Sequence, residues 1–415
     1  MILSKKLILA ALLIESLNAT SLKSIINSTL QNNENLKVLQ SQDLSKKEIY
    51  NGVSNTYKPT LNIGANMLRL DQDTREVQVG TTSTAFIKLG INLYDGGKSS
   101  SIKKQKSYEY QISKLNTTTT TKQLLLQSVT LFFNAKTIME NIKVFENKSI
   151  TLKAQYERVK TKYDLKMTTI DEVLKLKSEY ETNQYTIQDL EYKKEELLQN
   201  LSVITGKNIT SLDNTTLPSA FGIRYNQSEN IKSLKLGIQV EEQNFNSLDS
   251  VNKPQIKLEN SYVFYNYADY NQKLLSDLPE QQNQLMLTLS YNLFDSSSSS
   301  KIKASKLAKN ALNEKLNYAV KEEKTKFNLA GKKLSIQKLK IQSLKSAIEM
   351  ANSIYDIVKT KYKNGIVDNI VYLDALDKKT YNQALYLQAL NDYEIFKAEY
   401  YFASGMDYKK VIDRF

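Results

Sequence analysis

Val159-Lys160-Thr161-Lys162-Tyr163 recurs unchanged as Val358-Lys359-Thr360-Lys361-Tyr362. The copies lie 358 − 159 = 199 residues apart, close to half of the 415-residue chain. Around this pentapeptide, other pairs follow in the same order. Gly206 returns as Gly405 at an offset of 199, and Asn92-Leu93-Tyr94-Asp95 returns as Asn292-Leu293-Phe294-Asp295 at 200. Glu34-Asn35-Leu36-Lys37 returns as Glu229-Asn230-Ile231-Lys232, and Lys58-Pro59 as Lys253-Pro254, both at 195. One such pair is a coincidence; five in order, with offsets drifting only from 195 to 200, are a duplication. The expected organisation is a first structural repeat over 20–210, a second over 211–406, and a C-terminal tail over 407–415.

Each repeat changes its hydrophobic period once. Ala85, Ile87, Leu89, Ile91 and Leu93 alternate with Lys88, Gly90 and Asn92, as do Leu61, Ile63, Ala65 and Met67 with Asn62, Gly64 and Asn66. Period two is the mark of a strand with one apolar and one polar face. Leu285, Leu287, Leu289, Tyr291 and Leu293 repeat the pattern, and a Tyr-rich segment at 255–267 alternates less cleanly. The pattern predicts one β-hairpin at about 60–94 and another at about 255–294, each preceded by a helix.

Beyond each hairpin the spacing becomes helical. Leu131, Ala135, Ile138, Ile142, Phe145, Ser149, Leu152, Tyr156, Val159 and Tyr163 fall on steps of four and three. Leu334, Gln337, Ile341, Leu344, Ile348, Ala351, Tyr355, Val358 and Tyr362 keep the same register. The predicted long helices run over about 98–163 and 300–362, followed by helices over about 170–205 and 368–404. A sustained seven-residue pattern makes coiled-coil seams. A helix of that length is near 100 Å long at about 1.5 Å per residue.

Composition removes most catalytic chemistry. The chain has no His, no Cys and no Trp, with 4 Pro and 12 Gly. Disulfides, thiolate zinc sites, cysteine nucleophiles and Ser-His-Asp arrangements are therefore excluded, and no cofactor or metal site is expected. The formal charge is +13, from 57 Lys+Arg against 44 Asp+Glu, but only five of the basic residues are Arg. Lys and Glu are interleaved rather than clustered, which describes solvated helix faces and argues against a nucleic-acid partner.

At the N-terminus, Lys5 and Lys6 precede the apolar run Leu7 to Ile14, and Ala19 supplies a small residue at a cleavage point. This layout predicts a secretory signal peptide over 1–19. An apolar run of eight residues is too short to span a bilayer, which takes about 20. A strand of about ten alternating residues does match a tilted transmembrane β-strand. In lipid such a sheet must close, and four strands enclose no useful lumen, so several chains would have to share one barrel.

Taken together, these features resemble the TolC-like outer membrane factors of bacterial efflux and type I secretion, over about 21–406. The resemblance is carried by the duplication and by Pro59 and Pro254 ahead of each hairpin's first strand. It is carried further by Tyr94-Asp95-Gly96-Gly97 and Phe294-Asp295 at the strand exits, the turns Tyr163 to Leu174 and Tyr362 to Leu373, and the closing Thr205-Gly206 and Ser404-Gly405. It implies a mostly α, internally duplicated fold. A long coiled-coil α-helical barrel would stand in the periplasm, and four strands per chain would enter a shared 12-stranded transmembrane β-barrel of a homotrimer. It implies no catalysis, and partners in a periplasmic adaptor (membrane fusion) protein, an inner-membrane pump of the RND, ABC or MFS type, and outer membrane lipid.

The resemblance also assigns residues. Asp374 matches an aspartate that rings the periplasmic aperture, with Asp368 near enough to add to it; where the family often has a second aspartate this chain has Val371. Tyr362 and Glu172 match a tyrosine and a carboxylate that lock the closed state, while a supporting arginine is replaced by Val367. Adaptor docking falls on the tips Leu165-Lys166-Met167 and Asn364-Gly365-Ile366, with Lys166 where glycine is usual. The competing reading is a periplasmic coiled-coil adaptor or structural protein without a pore. It accounts for the heptads and for export, but not for four alternating strands placed ahead of the long helices. A general diffusion porin would be strand throughout.

Overall fold

The computed structural model describes residues 19–70, 78–220 and 222–407. Residues 1–18 of the expected signal peptide and 408–415 of the tail lie outside the described residues. In chain order the elements are α1 Leu22–Asn32, α2 Glu34–Ser54, β1 Thr60–Arg69, β2 Thr81–Asp95, α3 Lys98–Asp164 and α4 Ile170–Thr205. They continue with α5 Glu229–Asp249, β3 Gln255–Ala268, β4 Gln281–Ser290, α6 Ser296–Lys363 and α7 Asn369–Ala403. The fold is therefore mostly helical, with helices of 67 and 68 residues in α3 and α6 and one four-stranded antiparallel sheet.

Contacts divide the chain into two units, and each draws on both sequence repeats. Among the described residues, one comprises those within 41–116 and 230–318, the other those within 19–40, 117–229 and 319–407.

The first of these holds the sheet, in the order β1-β2-β3-β4, so that the two hairpins join through β2 and β3. Leu61 faces Leu89, Ile63 faces Ile87, Leu258 faces Leu287 and Ile256 faces Leu289. Directly opposed residues point to the same side, so these form one apolar face. It is uncovered: Ile63 is 77% exposed and Leu289 70%. The other face carries Asn62, Asn66, Thr84, Lys88, Glu259, Ser261, Gln282, Gln284 and Thr288, by the same parity.

The hairpins differ from expectation at one end. β2 runs to Asp95, whereas β4 stops at Ser290, short of the expected 294. The end of β2 is held by β3, through Asn92 with Lys257 and Asp95 with Gln255 across a bulge. β4 is an edge strand, and 291–295 have no second strand to pair with. Asp295 instead caps α6, accepting from the Ser297 amide at 2.9 Å and the Ser298 hydroxyl at 2.6 Å. The helix consequently starts at Ser296 rather than near 300. Asp95 does the same for α3, accepting from the Ser99 amide at 2.8 Å. The strand-exit aspartates are thus N-caps of the two long helices.

In the other unit, Leu22, Ile25 and Ile26 of α1 pack with Leu125, Val129, Phe132 and Phe133 of α3 and Leu198 and Leu201 of α4. Fully burying such a side chain stabilises by about 1.5–3 kcal/mol. The first repeat's leading helix is split where the second repeat's is continuous, because Asn33 leaves helical geometry. Its side-chain Nδ2 donates to the Ile204 carbonyl at 2.9 Å, and its side-chain Oδ1 caps α2 by accepting from the Leu36 amide at 3.2 Å. The segment joining the repeats is clasped by α7: the Leu217 amide donates to Glu394, and Lys397 donates to the Leu217 carbonyl, each at 2.6 Å.

Candidate functional site

Two turns 199 residues apart connect α3 to α4 and α6 to α7, and they share one geometry. The Lys166 amide donates to the Tyr163 carbonyl and the Met167 amide to the Lys162 carbonyl, both at 2.8 Å. The Gly365 amide donates to Tyr362 at 3.1 Å and the Ile366 amide to Lys361 at 2.9 Å. These paired bonds are a Schellman ending, which requires a left-handed residue after the helix. Gly365 takes it with φ 73°, without steric cost; Lys166 takes it with φ 61° despite its Cβ. The hydrogen bonds, rather than the residue type, therefore fix the first turn. Leu165, Met167 and Ile366 are each at least 66% exposed, so both turns present apolar side chains outward.

Behind the second turn lies an aromatic cluster. Tyr362 stacks on Tyr372 at 4.8 Å between ring centroids, and the Tyr372 and Tyr355 hydroxyls are 3.2 Å apart. Tyr372 is fully buried, among Leu152, Val159, Val173, Leu176 and Leu376. Burial, then the Tyr355 hydroxyl, push its phenol far above the ordinary range. Burial and the Glu172 carboxylate also raise the Tyr362 phenol, opposed by Arg158, whose guanidinium lies 5.9 Å from the Tyr362 ring.

The expected lock residues are therefore neighbours in the electrostatic sense only. Glu172 accepts its hydrogen bond from the Thr168 hydroxyl at 2.7 Å, and among the described residues no hydrogen bond joins it to Tyr362. What holds Tyr362 is the face of Tyr372, with Arg158 supplying a cation where Val367 supplies none. Tyr355 belongs to the helical stripe of α6 visible in the sequence, where nothing separates a packing tyrosine from a clustered one.

The two expected aperture carboxylates are engaged separately. Asp374 is exposed on α7 and pairs with Lys378 one turn on, at 2.7 Å. Asp368 is the N-cap of α7 and accepts from the Val371 amide at 2.9 Å. In the first repeat, Lys175 and Thr169 occupy the corresponding places, so the acidic pair belongs to the second repeat alone. Pro59 and Pro254 immediately precede β1 and β3, where the missing N–H costs no ladder bond. Among the described residues, no group of three acidic side chains gathers as a metal site requires. No described helix is long and apolar enough to cross a membrane.

No protein-family model matches the chain, and no curated protein sequence does. Solved structures do. The outer membrane protein VceC from Vibrio cholerae superposes with a TM-score of 0.81 at 11% identity, covering 92% of this chain and 96% of its own. The CmeC outer membrane channel of Campylobacter jejuni gives 0.80 at 15% identity, covering 95% of this chain and 89% of its own. The MtrE outer membrane channel of Neisseria gonorrhoeae, in its open state, gives 0.74 at 16% identity, over 92% and 88% of the two chains. At such identities the likeness is one of fold, and it extends over more than nine-tenths of this chain. The chain has the fold of the TolC-like outer membrane factors.

Proposed function

We propose that this chain is the outer membrane exit duct of a tripartite efflux or type I secretion system, conducting substrates passively and catalysing nothing. The observation that carries this reading is the sheet. It has four strands, one face apolar and uncovered, the other polar, and β1 and β4 at its two outer edges. Such a sheet is a segment of a barrel wall: the apolar face suits lipid, and the edges suit the edges of further copies. Three copies supply 3 × 4 = 12 strands, enough to enclose a lumen. The channel fold of VceC, CmeC and MtrE supports the same reading, as does the charged N-terminal segment followed by an apolar run. The long helices would then form the periplasmic tunnel, and an inner-membrane pump and a periplasmic adaptor would complete the path.

Within this reading, the turns at 165–167 and 364–366 form the adaptor-docking tips, with their exposed Leu165, Met167 and Ile366 as the apolar contacts. Asp374 from three chains forms a carboxylate ring that attracts cations and repels anions. Tyr362, stacked on Tyr372 and sensing Glu172, holds the closed state. An adaptor without a pore leaves the apolar sheet face without a partner phase, so the duct is the better account.

The decisive experiment is single-channel recording of the purified protein in a planar bilayer, wild type beside Asp374→Ala. Small cation-selective openings that grow and lose selectivity in the variant are the expected result. Unchanged conductance would move the gate away from Asp374. No insertion by demonstrably folded protein would sink the duct reading and restore the adaptor.

A further inference from the structure

The strands carry few charges: Arg69, Lys88, Asp95, Lys257 and Glu259. Arg69 and Asp95 end their strands, at the margins of the sheet. The other three meet at one point of the polar face, although the sequence separates them by up to 259 − 88 = 171 residues. Lys88 faces Ser261 across the β2–β3 ladder, and Lys257, Glu259 and Ser261 alternate onto that same side. Lys88 Nζ lies 3.0 Å and Lys257 Nζ 2.6 Å from one oxygen, Oε1 of Glu259.

The arrangement has a seat. Gly90 lies directly opposite Glu259, and a Cβ there would stand 3.7 Å from Oε1 and 3.4 Å from the Thr60 hydroxyl. The carboxylate therefore packs against this backbone within ordinary contact distance, between its two lysines. Glu259 is accordingly buried at 8% exposure, while the lysine side chains keep 39% and 49%. Solvent therefore meets the two ammonium groups rather than the carboxylate. One negative charge shared by two positive ones leaves a net +1.

Resting on the duct reading, in which this polar face lines the lumen, we infer that Lys88, Glu259 and Lys257 form an anion-selecting station in the barrel wall. Three copies give 3 × (2 − 1) = +3 around the lumen, facing solutes that carry carboxylate or phosphate groups. Glu259 is the positioning residue: it holds the two ammonium groups together and sets the net charge they present. The preference is opposite in sign to that of the Asp374 ring, so the duct would contain two charge filters rather than one.

The test is the chloride-to-potassium permeability ratio of reconstituted trimers in a KCl gradient near 0.1 M, for wild type, E259Q, K257Q and K88Q/K257Q. E259Q should raise the ratio by on the order of two-fold, and K88Q/K257Q should lower it below wild type. Both shifts should fade near 1 M salt, where the screening length falls from about 10 Å to about 3 Å. Should E259Q fail to assemble, K257Q, which alters a half-exposed side chain, carries the test with an expected fall. Conducting channels whose ratios coincide with wild type overturn this assignment alone, as do shifts that persist undiminished at high salt. Folded trimers that never conduct overturn the duct reading and this inference with it.

Discussion

At the turn between α3 and α4, Lys166 holds a left-handed φ of 61°, Thr169 precedes α4 without a side-chain cap, and Val173 fills the interior. At the turn between α6 and α7, the places 199 residues on belong to Gly365, Asp368 and Tyr372. The backbones end in the same pair of hydrogen bonds, so duplication has kept the geometry while the side chains have diverged. The second turn has gained a cap and a fully buried aromatic side chain, stacked on Tyr362. Beside it, Asn369 is 2% exposed, and among the described residues its side-chain amide has no hydrogen-bond partner. Ile170, its counterpart, is 47% exposed. Packing and capping at the turns are therefore concentrated in the second repeat.

The sharpest way to break this contrast is to empty the interior on each side. Tyr372→Ala should cost about 4 kcal/mol, from lost burial, the cavity left behind and an orphaned Tyr355 hydroxyl. Val173→Ala should cost about 1–2 kcal/mol. Denaturant midpoints of the purified protein measure both, and equal losses would erase the distinction. Capping gives a smaller effect. Asp368→Ala should destabilise by about 1 kcal/mol, with faster amide exchange at the start of α7, whereas Thr169→Ala should change α4 by a few tenths at most. The smallest effect is conformational: Lys166→Gly should stabilise by about 0.5–1 kcal/mol by relieving the left-handed backbone, and Gly365→Lys should cost about as much. If thermal scans place both exchanges near zero, the turns are not strained by their occupants.

Much of this architecture was legible before any coordinates. The pentapeptide at Val159 and Val358 fixes the duplication, and the parity of Leu61, Ile63, Ile87 and Leu89 fixes which face of the sheet is apolar. The places where reading failed are those where a neighbour decides. Leu293 continues the alternation of β4, but β3 begins at Gln255, opposite Ser290, so among the described residues no strand pairs with Leu293. Nothing local distinguishes Asn33, which splits a helix by reaching the Ile204 carbonyl 171 residues away. Tyr355 and Tyr362 sit on the heptad stripe of α6 and Tyr372 lies on α7, and only their ring separations mark them as a cluster. Lys88 stands among the polar positions of an alternating strand, while Lys257 and Glu259 lie in the Tyr-rich segment whose alternation is less clean. Their convergence depends on the β2–β3 pairing, which joins the two repeats and is written in neither.

Under the proposed shared barrel, one consequence of the sheet concerns the life of the chain before its copies meet. β1 and β4 each offer an unsatisfied row of backbone donors and acceptors, beside an apolar face bearing Ile63, Leu285 and Leu289. These are the features by which strands nucleate fibrils and amorphous aggregates. A solitary copy is thus a sticky monomer, and its lifetime sets a race between productive encounter and clumping. That race depends on how many copies are present at once, so yield in a cell should follow the rate of synthesis and the supply of holdase chaperones more closely than the intrinsic stability of the helices.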